Sequence, residues 1–131
     1  MKTKWLDTGM VYGIKYALYT DPEDFYRDCK SFNLPREEVG PWLGKKPDGA
    51  CTHFMRNKET GELIAMVCIL PKEGDQVRVA GLLCHEAVHT WQENVRGMGE
   101  EYPSDEFMAY SIQWQAQQLM WSYCEQIGRG K

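Results

Sequence analysis

Several patterns are missing from these 131 residues. No stretch approaches the roughly eighteen uninterrupted apolar residues of a membrane-spanning helix, so no membrane partner is expected. The N-terminal Met1-Lys2-Thr3-Lys4-Trp5-Leu6-Asp7 lacks the apolar centre of a signal peptide, which points to a cytoplasmic protein. There is no block of basic residues: 15 Lys and Arg are interspersed among 19 Asp and Glu for a net charge of -4. That balance argues against a nucleic-acid footprint. The five cysteines, Cys29, Cys51, Cys68, Cys84 and Cys124, form no Cys-x-x-Cys pair and are odd in number. A disulfide framework and a zinc ribbon are both disfavoured, and reduced thiols are expected. Repeats and low-complexity tracts are absent too, leaving one domain long enough to bury a core of its own.

What is present is His85-Glu86-Ala87-Val88-His89. Residues four apart on a helix lie one turn above each other, so both imidazoles point the same way and can share one metal ion. Glu86 lies about 100° round the helix from His85, off the ligand line but within reach of a water on the metal. Such a string arises by chance in roughly one chain in a few hundred of this length, so its surroundings decide. Between Val77 and Val95 the only glycine or proline is Gly81. On a helical projection Ala80, Cys84, Ala87, Val88, Trp91 and Val95 share one arc, the expected core face. Arg78, Gly81, His85, His89 and Gln92 share another stripe, expected to face a cleft.

Gly97, Gly99 and Pro103 then break the helix, and a second periodic segment begins near Ser104. Its apolar stripe reads Ala109, Ile112, Ala116, Leu119, Met120 and Tyr123. Glu106 borders that stripe and is the preferred third metal ligand, giving two nitrogens, one carboxylate and an open position. Glu100, Glu101 and Asp105 compete for the role from the turn or the exposed side. Trp91, Trp114 and Trp121 read as core or its rim, because aromatics at helical spacing usually pack.

With His85-Glu86-Ala87-Val88-His89, Trp91-Gln92 and Glu106-Phe107-Met108-Ala109-Tyr110 on view, the C-terminal half resembles the gluzincin type of zinc metallopeptidase. It is similar in particular to the small metallopeptidases encoded by bacteriophages and prophages. That resemblance spans roughly residues 77–123 and implies one Zn2+ ion held by His85, His89 and Glu106, with Glu86 as catalytic acid/base and a peptide or protein as substrate. Gluzincins commonly carry a small polar residue four positions after the ligand glutamate; here Tyr110 stands there, and its phenol would have to serve as support behind the ligands. Two other functional classes fit the same residues. One is a non-catalytic, zinc-stabilised interaction protein, and the other a regulatory peptidase that cuts a single protein partner.

The N-terminal half must supply the sheet. Val11 to Thr20 alternates, with Tyr12, Ile14, Tyr16 and Leu18 as the expected buried set. Asp21-Pro22-Glu23 opens a helix with an N-cap acid and a first-turn proline, and Phe25, Cys29 and Phe32 mark its inner face. Glu37 to Gly49 holds three glycines and two prolines around Trp42 and reads as a loop or lid. Cys51 to Arg56 and Glu62 to Leu70 make a hairpin, with the very apolar second strand central and the first at an edge. A peptide can add to such an edge as a further strand. His53 on that strand is read first as a locally paired residue and only second as a donor to an oxyanion. The expected fold is α+β: a small, mainly antiparallel twisted sheet packed on the His-Glu-x-x-His helix and a second, glutamate-bearing helix, in a zincin-like arrangement.

Overall fold

The computed structural model describes residues 2–9, 14–45, 49–72, 74–99 and 102–129. The chain runs β1 (Ile14–Tyr19), α1 (Pro22–Ser31), α2 (Arg36–Val39), β2 (Ala50–Arg56), β3 (Leu63–Ile69), α3 (Gln76–Gly97) and α4 (Asp105–Arg129). The fold is α+β around a three-stranded sheet of order β1-β3-β2.

The sheet is mixed rather than mainly antiparallel. β2 and β3 form the expected hairpin, antiparallel from Ala50↔Ile69 to Arg56↔Leu63. Asn57 closes its turn, accepting at Oδ1 from Glu59 N at 2.9 Å while Gly61, with φ 76°, donates to the Asn57 carbonyl at 2.8 Å. β1, however, runs parallel to β3, in register from Ile14↔Leu63 to Tyr19↔Cys68. Parallel neighbours need a long crossover, and α1 with the segment after it supplies one. The alternation within β1 carries no information about strand direction.

β3 is central, and Ile64 to Ile69 are all fully buried. One face of the sheet meets α1, where Ala17, Tyr19, Ile64, Met66 and Cys68 pack with Phe25, Cys29 and Phe32. The other meets α3 and α4, where Tyr16, Leu18, Ala65, Val67 and Ile69 pack with Val79, Leu83, Ala87, Leu119 and Tyr123. β1 is therefore covered on both faces, so Ala17 and Tyr19 join the core alongside the expected Ile14, Tyr16 and Leu18. Residues 11–13 of the anticipated strand lie outside the described ones. Each large aliphatic buried this way contributes about 1.5–3 kcal/mol, an upper figure because unfolded chains are already partly compact.

α1 starts as anticipated: the Asp21 side chain accepts from Glu23 N at 3.0 Å and Pro22 occupies the first turn. In the glycine-rich stretch, the short α2 is followed by Gly40 at φ 80°. No helix among the described residues is long and apolar enough to cross a membrane.

Candidate metal centre

α3 begins where Asp75 accepts from Arg78 N at 3.3 Å and ends at Gly97, with Gly99 turning the chain at φ 74°. Its buried residues are Val79, Leu83, Glu86, Ala87, Thr90, Trp91, Asn94 and Val95. The core face is thus rotated by about 80° from the expected arc. Cys84 is exposed, Ala80 and Val88 only half-buried, and the polar Glu86, Thr90 and Asn94 point inward. Hydrogen bonding explains the shift. Glu86 Oε1 accepts from Thr52 Oγ1 of β2 at 2.9 Å, and Thr90 Oγ1 donates to the Glu86 carbonyl at 2.9 Å. Two of these inward polar residues are satisfied there without water, so their burial is tolerable.

His85 and His89 stand on the opposite, solvent-facing stripe. Their rings meet edge to face at 4.7 Å between centroids, and the two Nε2 atoms are 3.1 Å apart. Two nitrogens on one tetrahedral zinc, each at about 2.0–2.1 Å, would lie about 3.3 Å from each other. The pair is thus set at ligand spacing. His89 Nδ1 lies 3.1 Å from Gln92 Oε1, and donation there would leave the Nε2 lone pair free to bind. His85 Nε2 lies 4.0 Å from Glu86 Oε2. The Glu86 carboxylate is therefore split: one oxygen held by Thr52, the other turned toward the imidazoles. Exposure separates the neighbours sharply, with the His85 side chain 56% and the Glu86 side chain 5% accessible.

The Tyr16 phenol is buried beside Thr90 and Glu86, with no well-formed hydrogen bond among the described residues. Burial pushes its pKa up; Thr90 pulls the other way, and the Glu86 charge raises it further. Tyr16 therefore stays protonated next to the carboxylate.

Glu106 is not brought to this pair. α3 and α4 pack against each other, and Gln76, Val79 and Leu83 line one groove together with Met120, Tyr123 and Ile127. Glu106 is exposed in the first turn of α4, whose buried residues are Ser111, Gln115, Ala116, Leu119, Ser122 and Tyr123. The anticipated stripe is rotated: Ala109 is exposed and Ile112 and Met120 half-buried, so bordering that stripe does not place Glu106 at the α3 interface. Among the described residues no three His, Cys, Asp or Glu side chains gather to hold a metal. Asp105 is exposed beside Glu106, and Glu100 and Glu101 lie outside the described residues. Tyr110 lines a cavity with Thr8, Gly9 and Trp114 rather than backing the histidines.

His53 lies on the other face of the sheet. It packs 4.8 Å from Phe25, and its Nε2 donates to the Trp42 carbonyl at 2.7 Å. It is locally paired, as read first, and away from the histidine pair. Strand parity could have identified the residue that does reach Glu86: Ala50, Thr52 and Phe54 share the α3 side, whereas Cys51, His53 and Met55 face α1. Trp91 is core, whereas Trp121 is exposed and Trp114 ties the N-terminal segment to α4 by donating from Nε1 to the Asp7 carbonyl at 2.9 Å.

Neither family models, curated proteins nor solved structures give a match to this chain.

Proposed function

We propose that the protein is a zinc-dependent hydrolase, a metallopeptidase in which His85 and His89 hold the ion and Glu86 is the catalytic acid/base. The observation that carries this reading is the convergence of two Nε2 atoms at 3.1 Å beside the Oε2 of a carboxylate otherwise shut away from solvent. The two histidines fit a divalent cation, and the remaining positions of a tetrahedral ion are filled from outside the pair. Zinc, when bound, supplies Lewis acidity toward water and a substrate carbonyl. Glu86 Oε2 accepts a proton from the attacking water and returns it to the leaving amine. β2, at the sheet edge and tied to Glu86 through Thr52, is the strand a peptide would extend.

A metal-binding interaction protein is the second reading, favoured by the exposure of both histidines. One experiment separates the two. Zinc content and digestion of a peptide library are measured for the wild type, His85→Ala, His89→Ala and Glu86→Gln. The peptidase reading expects both alanine variants to lose zinc, and Glu86→Gln to keep zinc while losing about 10²–10⁴-fold in turnover. Tight zinc without turnover in the wild type selects the interaction protein, and a fully active Glu86→Gln overturns the proposed chemistry.

A further inference from the structure

Glu86 sits at a boundary, and something must decide where its carboxylate points. The glutamate is 4% exposed, while its neighbour His85 is open to solvent. Among the described residues the side-chain hydrogen bond made to it comes from Thr52, at 2.9 Å to Oε1, from a strand 34 residues earlier in the chain. Thr52 is itself held firmly. It is β-branched, with few side-chain rotamers, and lies in the middle of β2 opposite Val67 of the fully buried central strand. With Oε1 tied to so rigid a donor, Oε2 is the atom turned to the imidazole, 4.0 Å from His85 Nε2. The second oxygen can then exchange a proton while the first keeps its bond.

We infer that Thr52 is a positioning residue, whose hydroxyl fixes Glu86 so that Oε2 faces the space in front of His85 and His89. The inference rests on the peptidase reading for its catalytic consequence but not for its geometry. Among the described residues Thr52 makes no hydrogen bond to either imidazole; it acts through Glu86. Its loss slows the proton transfer while leaving the histidines and the strand edge in place.

The test uses the zinc-loaded full chain. Thr52→Val keeps the shape and β-branching and removes the donor; Thr52→Ser keeps the donor on a smaller side chain. Zinc stoichiometry, KM and kcat on a peptide substrate, and crystal structures of wild type and Thr52→Val are compared. The expected result is unchanged zinc and KM, kcat lowered tenfold or more in Thr52→Val and restored to within threefold in Thr52→Ser, with Oε2 displaced from His85 in the Thr52→Val structure. A kcat within twofold of wild type in Thr52→Val overturns the proposal, as does equal damage by both variants. If the wild type turns nothing over, the peptidase reading has failed separately, and the crystal structures still decide: an unmoved Glu86 carboxylate in Thr52→Val sinks the positioning role.

Discussion

Ser111, Gln115, Asn94 and Trp91 are buried on α3 and α4, each with a side-chain polar atom that finds no hydrogen-bond partner among the described residues. Such atoms lose their bonds to water on folding and regain none, so each costs stability. Ser111 is the simplest to remove. Replacing it with alanine deletes the unpaired hydroxyl, improves helix propensity and adds no bulk. Ser111→Ala should stabilise the protein by about 0.5–1 kcal/mol, a rise in Tm of about 2–5 °C in a thermal melt. A fall in Tm would mean that the hydroxyl has a partner after all. Glu86, also inward, differs because Thr52 satisfies it. Its place in the His-Glu-x-x-His string was legible at once, but its burial was not, since the string says nothing about the strand that lies against the helix.

At the scale of elements, the burial of His53 between β2 and α1 favours a neutral imidazole. Burial lowers the pKa of His53, and the hydrogen bond to the Trp42 carbonyl opposes that only in part. A histidine whose folded pKa is depressed contributes stability above its ordinary value, near 6.5, and that contribution fades as the pH falls through the lower folded value. Denaturant titrations at pH 7.5 and pH 5 should therefore show a loss of stability on acidification, smaller in His53→Phe. An equal pH dependence in both proteins would show that His53 does not carry it. The hairpin, the central β3 and the capped α1 were readable from local signals: a five-residue turn, an unbroken apolar run, and Asp21-Pro22. The core faces of α3 and α4 were read with the right period but the wrong phase. Polar residues that turn inward to meet partners look, on a helical projection, like members of the solvent side.

For the molecule as a whole, the α3–α4 hairpin sets what can approach the histidines. Glu106 is exposed in the first turn of α4 and joins no cluster of metal-binding side chains among the described residues, so Glu106→Ala should leave zinc affinity within about threefold of wild type in a calorimetric titration, against the 10–100-fold typical of a lost support to a ligand. A larger loss would make Glu106 a ligand and require the hairpin to slide or open. The parallel pairing of β1 with β3 has the same non-local origin, because it depends on α1 crossing over one face of the sheet.

The sequence by itself determined everything that lives within one turn or one strand. It set the convergence of His85 and His89, which the 3.6-residue period imposes on any helix carrying them, and likewise the cap of α1, the hairpin and the buried strand. Tertiary structure alone decided the direction of β1, the inward turn of Glu86 onto Thr52, the separation of His53 from the pair, and the exposure of Glu106. Those outcomes depend on contacts between residues tens of positions apart, whose energies local pattern does not encode.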